Sequence, residues 1–90
     1  MTVKYAYPAT IEVDEAGFYL VTFPDVPEAG TDAETENNTL SQAADCLIAA
    51  LGGYINARRD IPKPSPAKPG QLVVTLPSLV VAKLALYQTL

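Results

Sequence analysis

The sequence predicts an α+β fold, in which a small antiparallel sheet carries one long helix on one face, in the order β-β-β-α-β-α. Short segments rich in β-branched and aromatic residues, separated by turn residues, fill the first third of the chain. One long segment, residues 36–58, repeats its apolar residues at helical spacing. A proline-rich stretch, residues 61–70, separates this helix from a last apolar strand and a last helix.

The first two predicted strands form a hairpin. The first runs from Val3 to Val13 and contains Pro8, which has no backbone N–H and therefore indicates an edge position or a bulge. The acidic turn 14–17 ends in a glycine, which readily takes a positive φ. The second strand, residues 18–23, alternates its side chains between two faces, and a short third strand follows within residues 29–34.

The long helix is the most clearly marked element of the sequence. Thr35 is a suitable N-cap, and Glu36 favours the positive end of the helix dipole. The apolar residues that recur at three- and four-residue steps are Leu40, Ala43, Ala44, Leu47, Ile48, Leu51, Tyr54 and Ile55. The lone cysteine, Cys46, lies in this stripe, and we interpret it as a core residue because the sequence has no histidine to activate it.

The C-terminal third begins with a connector. Residues 61–70 alternate proline with small or basic residues, which predicts a stiff, extended segment. An almost wholly apolar strand, residues 71–76, precedes a helix that starts near Ser78 or Pro77. Apolar residues cover most of this helix, so we expect it to pack against another chain or to continue into further sequence. The residues expected to serve self-association are Leu79, Val80, Leu84 and Leu86.

Charge and composition narrow the range of functions. The net charge is −4 and the six Lys and Arg residues are scattered, which argues against a nucleic-acid surface and suits a basic protein partner. A single cysteine fits a reducing cytoplasm. The N-terminus has no apolar leader, and the longest apolar run is too short to span a membrane, so we expect a cytoplasmic protein.

The search for catalytic residues leaves one enzymatic possibility. Without histidine, nucleophilic triads and imidazole metal sites are excluded, and no glycine-rich phosphate loop is present. A carboxylate cluster could still bind magnesium, as in nucleases. Its candidates are Asp14, Glu15, Asp25, Asp32 and Glu34. Turn and strand-end positions explain these carboxylates more simply, so we expect no metal ion, no cofactor and no enzymatic activity.

Aromatic residues of the hairpin offer a second kind of surface. Tyr5 and Tyr7 share one strand face, and Tyr19 and Phe23 share another. Such pairs can stack on single-stranded RNA, but they are then usually accompanied by arginine and lysine, which this hairpin lacks. Cross-strand packing or an exposed protein-binding surface is the favoured interpretation.

Four motifs carry a resemblance to a known family. They are Tyr7-Pro8-Ala9 on the first strand, the acidic turn Asp14-Glu15-Ala16-Gly17, Phe23-Pro24-Asp25-Val26-Pro27 after the second strand, and Thr31-Asp32-Ala33-Glu34-Thr35 before the helix. With these motifs the chain resembles the antitoxins of the HicB family over nearly its whole length. It departs from the family pattern at Ala33, where glycine is usual, and at Glu34, where aspartate is usual.

The resemblance implies a fold and a function. Residues 1–76 would form a toxin-binding domain with a partial ribonuclease H-like fold. Residues 77–90 would form a helix that serves oligomerisation, as a dimer or tetramer, or begins a DNA-binding module that these residues do not contain. The protein would neutralise a HicA-type toxin, a small basic ribonuclease that cuts messenger RNA, by covering its catalytic face. The complex would commonly repress its own operon.

We expect the toxin to contact an acidic corner and an acidic turn. Pro24 and Pro27 should fix the backbone around Asp25, so that the corner loses little entropy on docking. The expected toxin-binding residues are Asp14, Glu15, Phe23, Asp25 and Glu28. Two alternatives stay open: a ribonuclease H-like, metal-dependent nuclease that uses Asp14, Asp25 or Asp32, and a DNA-binding repressor if a C-terminal module follows.

Overall fold

A computed structural model describes residues 5–89 of the chain. Its elements are β1 (Ala6–Val13), β2 (Tyr19–Thr22), β3 (Gly30–Ala33), α1 (Glu36–Asn56), β4 (Leu72–Thr75) and α2 (Ser78–Gln88). This is the predicted α+β class and the predicted order. The first two residues of the predicted first strand, 3 and 4, lie outside the described residues.

The four strands form one antiparallel sheet in the order β3-β2-β1-β4. The two ladders on β1 are staggered, because Ala6–Ala9 pair with β4 whereas Thr10–Val13 pair with β2. Each half of β1 therefore has a strand neighbour on one side only.

This stagger explains how β1 accommodates Pro8. The Leu76 N–H donates to the Tyr5 carbonyl at 3.3 Å, and the Asp14 N–H donates to the Phe18 carbonyl at 2.9 Å. Because successive strand residues point their backbone groups in opposite directions, odd-numbered residues of β1 point toward β4 and even-numbered residues toward β2. The nitrogen of Pro8 thus faces a side on which β2 has ended. Although β1 is central in the strand order, Pro8 therefore occupies a local edge position, as the sequence predicts, and it costs the ladder no hydrogen bond.

The core lies between the sheet and α1. The inward-facing Tyr7, Val21 and Phe23 are buried with Leu47 and Leu51 of the helix, and all five are at most 1% exposed. The other face of the sheet, which carries the exposed Glu12 and Thr22, is the one turned away from this core.

Helix α1 begins as the sequence predicts. The backbone N–H of Asn38 donates to the Thr35 hydroxyl at 3.3 Å, which confirms Thr35 as the N-cap. Leu40, predicted to belong to the packed stripe, is 54% exposed instead. The helix ends at Asn56, two residues earlier than predicted, and Arg58 just beyond it takes a left-handed conformation with a φ of 57°.

Helix α2 contacts the rest of the chain along one side. Leu84 is buried in the core at 1% exposure. The Tyr87 hydroxyl donates to the Arg59 carbonyl at 2.9 Å, and the Tyr5 hydroxyl donates to the side-chain oxygen of Gln88. Neither helix in the described part of the chain combines the length and apolar character that crossing a membrane would require.

Candidate functional site

The connection between β2 and β3, residues 23–29, is a corner of two successive turns. The Val26 N–H donates to the Phe23 carbonyl at 3.0 Å, and the Ala29 N–H donates to the Val26 carbonyl at 2.9 Å. Phe23, Val26 and Ala29 are all at most 1% exposed. Burial of every third side chain therefore fixes the corner to the core, while Pro24 and Pro27 lie outward.

The Asp25 carboxylate binds the proline connector. Its Oδ2 accepts the backbone N–H of Ser65 at 2.7 Å, and its Oδ1 accepts the Ser65 hydroxyl at 2.8 Å. Close by, the Tyr7 hydroxyl donates to the Pro62 carbonyl at 2.6 Å. Burial raises the pKa of Tyr7 to about 12. These contacts hold the connector against the corner. They also give each oxygen of the Asp25 carboxylate a hydrogen-bond partner within the chain.

The Glu28 carboxylate, at the other end of the corner, binds two residues from the C-terminal end of α1. It accepts the Tyr54 hydroxyl at 2.5 Å and the Arg59 guanidinium at 2.6 Å. Arg59 also stacks over the Tyr54 ring, 4.2 Å from its centroid. The hydrogen bond from Tyr54, followed by that from Arg59, lowers the pKa of Glu28 to about 2, and the same contact raises the pKa of Tyr54.

The turn between β1 and β2 is a second acidic surface. The Asp14 carboxylate accepts the backbone N–H groups of Ala16 and Phe18, each at 2.9 Å. Gly17 takes a φ of 88°, which a glycine adopts without steric strain. Asp14 thus shapes the turn, and Glu15 at its tip is exposed to solvent.

The two acidic surfaces lie at opposite ends of β2. The turn 14–17 precedes this strand and the corner follows it, so the strand length, on the order of 13 Å, separates them. Within residues 5–89 there is no group of three or more carboxylate or thiol side chains arranged to hold a metal ion. The structure therefore does not bring together the predicted carboxylates Asp14, Asp25 and Asp32.

Two of the sequence-based assignments need correction. Phe23 was expected to contact a partner, but at 1% exposure it supports the corner from within. Tyr5, Tyr7 and Phe23 do not form an exposed aromatic surface, because these odd-numbered residues all point to the helix-covered face of the sheet and are at most 5% exposed.

The residues expected to serve self-association divide into two groups. Leu79 and Leu86 are 68% and 65% exposed, whereas Leu84 is 1% exposed and Val80 is half-buried. Leu84 therefore packs in the core of its own chain and has no surface to offer a second copy. Leu79 and Leu86 stay candidates.

Sequence analysis missed the residues that hold the corner. Ser65, Tyr54 and Arg59 bind Asp25 and Glu28 across 26 to 40 positions of sequence. The one available signal was that Ser65 stands between two prolines in a stiff segment, where a hydrogen-bonding side chain can be presented with little entropy loss.

A groove of about 730 Å³ lies between the end of α1, the connector and α2. Its wall includes the apolar Ile55 and Tyr87 and the charged Arg58, Asp60 and Lys63. Charged residues of both signs therefore line the groove.

Comparison with known proteins gives concordant matches. A family model described as the HicB_like antitoxin of bacterial toxin-antitoxin system matches residues 6–85. Over 90 residues the chain is 39% identical to "Antitoxin HicB 2" of Photorhabdus laumondii, covering 100% of this chain and 63% of that protein. It is 43% identical to "Antitoxin HicB 1" of the same organism over 77 residues, which are 86% of this chain and 48% of that protein. "Antitoxin HicB" of Escherichia coli K12 is 35% identical over 80 residues, which are 89% of this chain and 58% of that protein. The chain thus spans between 48% and 63% of the length of these relatives.

Proposed function

The chain belongs to the HicB-like antitoxin family of bacterial toxin–antitoxin systems, and from this premise we propose that it neutralises a HicA-type ribonuclease by binding over its catalytic face. The observation that supports the proposal is the family match across residues 6–85, which includes every described strand, all of α1 and the first eight residues of α2. In this role the protein inhibits by occlusion and performs no reaction of its own.

The charge of the molecule supports a basic partner. A net charge of −4 attracts a cationic protein and speeds their encounter. Glu12, Glu15 and Asp32 are exposed at the end of the sheet that carries the turn 14–17. A toxin whose RNA-binding surface is basic can place its lysine and arginine side chains against these carboxylates.

The residues proposed to contact the toxin divide by position. Glu15 contacts it directly, and Asp14 holds the turn that presents Glu15. Asp25 and Glu28 already have partners within the chain. They contribute to toxin binding through the shape of the corner and through the solvent-exposed part of each carboxylate. Phe23 supports that corner from the core.

Further parts of the proposal concern assembly and regulation. The exposed Leu79 and Leu86 of α2 provide an apolar surface for a homo-oligomer, a dimer or a tetramer. Repression of the operon, a further part of the proposal, would use a C-terminal DNA-binding module of the kind that the family resemblance implies. We propose that the toxin–antitoxin complex lies in the cytoplasm, where the messenger RNA substrate of the toxin lies.

Charge reversal at the turn tests the binding proposal. Glu15→Lys should weaken binding to a purified HicA-type toxin, because it replaces an attraction by a repulsion at the interface, an effect on the order of 1–2 kcal/mol or about 5- to 30-fold in Kd. Isothermal titration calorimetry measures the change. Asp45→Lys is the matched control, since it makes the same change of net charge at an exposed position of α1. Equal weakening by both variants would mean that only the net charge matters and would contradict a contact at Glu15.

A further inference from the structure

We propose that the basic partner adds an extended strand to the sheet beside Ile11 and Val13 of β1, in line with β4. The β4 ladder ends at the pair Ala9 and Leu72, while β1 continues for four more residues that pair with β2 on the other side. Among residues 5–89, no strand pairs with Ile11 or Val13 on the β4 side. Strand β1 therefore has an unpaired edge at Ile11 and Val13, although it lies in the middle of the strand order.

The backbone groups of this edge point outward. The hydrogen bond from Asp14 N–H to the Phe18 carbonyl, at 2.9 Å, belongs to the β1–β2 ladder. By alternation Glu12 also bonds toward β2, and Ile11 and Val13 direct their N–H and C=O groups away from β2. An added strand would find two donors and two acceptors in the spacing of an antiparallel ladder.

The course of the connector explains why the chain does not fill this edge itself. Residues 68–71 form a turn closed by the Gln71 N–H donating to the Lys68 carbonyl at 3.0 Å, with Gly70 at a φ of 86°. The Gln71 side chain then donates to the Thr10 hydroxyl at 3.2 Å and marks the end of the ladder. The chain thus enters β4 only opposite Ala9.

Side chains around the edge indicate the chemistry of the occupant. On the helix-covered face Val13 is 61% exposed and Leu72 is 41% exposed, so an arriving apolar side chain would remove both from water. On the other face Glu12 is exposed and would lie about 5 Å from the residue opposite it. An extended segment that alternates apolar residues with lysine or arginine fits both faces.

The same geometry disfavours a second copy of this chain. A twofold-related copy that avoids β4 would place Glu12 opposite either Glu12 or Asp14 of that copy. Like charges in directly opposed positions destabilise strand pairing. A cationic strand of a different protein is therefore the better occupant. The inference rests on the proposed function in that the toxin is taken to supply this strand.

Amide hydrogen exchange followed by NMR tests the inference residue by residue. In the free protein the Ile11 and Val13 amides should exchange rapidly, whereas those of Thr10 and Glu12 are already bonded to β2. On addition of saturating purified toxin, exchange at Ile11 and Val13 should slow by at least about tenfold, with a smaller change at the two even-numbered positions. Toxin binding without this alternating protection overturns the strand pairing and leaves the proposed function intact. Absence of any toxin binding overturns both.

Proline substitution gives an independent test. Val13→Pro removes one donor from the open edge without removing a β1–β2 hydrogen bond, and it should weaken toxin binding by about tenfold or more. Val73→Pro is the matched control, because by the same alternation its N–H points away from β1 at the outer edge of β4. If Val73→Pro weakens binding and Val13→Pro does not, the strand adds to β4 and the inference is wrong. If Val13→Pro instead alters only the oligomeric state seen by light scattering, a second copy is the occupant.

Discussion

At the scale of single residues, the acidic side chains of the β2–β3 corner act first within the chain. Asp25 binds Ser65, and Glu28 binds Tyr54 and Arg59. The sequence shows a carboxylate between two prolines but cannot show that its partner lies 40 residues further on. A carboxylate that sequence analysis assigns to a partner can therefore serve to hold two segments of its own fold together.

The lowered pKa of Glu28 predicts a dependence of stability on acid. Because its pKa falls from 4.5 to about 2 on folding, its contribution to stability is complete above about pH 4.5 and is lost as the pH falls toward 2. Glu28→Gln should therefore be less stable than the parent protein at pH 6, with the difference shrinking as the pH falls below 4.5. Urea unfolding across this range measures it. A difference that stays constant down to pH 2 would contradict the assignment.

At the scale of elements, the proline connector is a docked segment that links α1 to β4. Its extended form was predictable from the alternation of prolines in residues 61–70. Its position was not, because it depends on the Asp25–Ser65 contact and on the hydrogen bond from Tyr7 to Pro62. The connector and the corner therefore stabilise each other across the same edge of the core.

Removal of the Asp25 carboxylate should release this segment. Asp25→Ala loses two charge-assisted hydrogen bonds to Ser65, so we expect the free energy of unfolding to fall by about 1–3 kcal/mol. Ser65→Ala loses only the hydroxyl bond and should cost about half as much. Asp45→Ala, at an exposed site of α1, is the control and should stay within about 0.5 kcal/mol of the parent. Chemical denaturation measures these free energies of unfolding. Equal stability of the Asp25 and Asp45 variants would show that the hydrogen bonds between Asp25 and Ser65 do not stabilise the fold.

Helix α2 shows a second limit of sequence analysis. Its apolar residues cover most of its surface, which predicts contact with another chain or continuation into further sequence. The structure buries Leu84 in its own core and exposes Leu79 and Leu86, because one side of the helix packs near Arg59 and Tyr5. Periodicity cannot separate these residues when nearly every position is apolar.

At the scale of the whole molecule, the α+β class and the order of elements followed from local patterns, whereas the placement of surfaces did not. Alternation in β1 and β2 divides residues between two faces, but only the position of α1 decides that the face with Tyr7 and Phe23 is the buried one. The stagger of the two ladders on β1 likewise depends on where the connector turns into β4. The likeness to a partial ribonuclease H fold stays a prediction.

The net charge of −4 and the acidic turn beside the open edge of β1 support the proposal that this molecule inhibits a basic nuclease by covering it. Inhibition of this kind requires tight binding to the toxin and no catalysis by this protein itself. The alternative, a magnesium-dependent nuclease, would instead need a cluster of carboxylates, and the described residues do not bring such a cluster together.

The most direct test is an RNA-cleavage assay with a purified HicA-type toxin, with and without this protein, in magnesium and in chelator. At concentrations well above Kd, cleavage should stop at about one antitoxin chain per toxin, and this protein alone should leave the RNA intact in both buffers. If it fails to protect the RNA, or itself cuts RNA only when magnesium is present, inhibition by occlusion is wrong and the carboxylates must be reconsidered as a catalytic site.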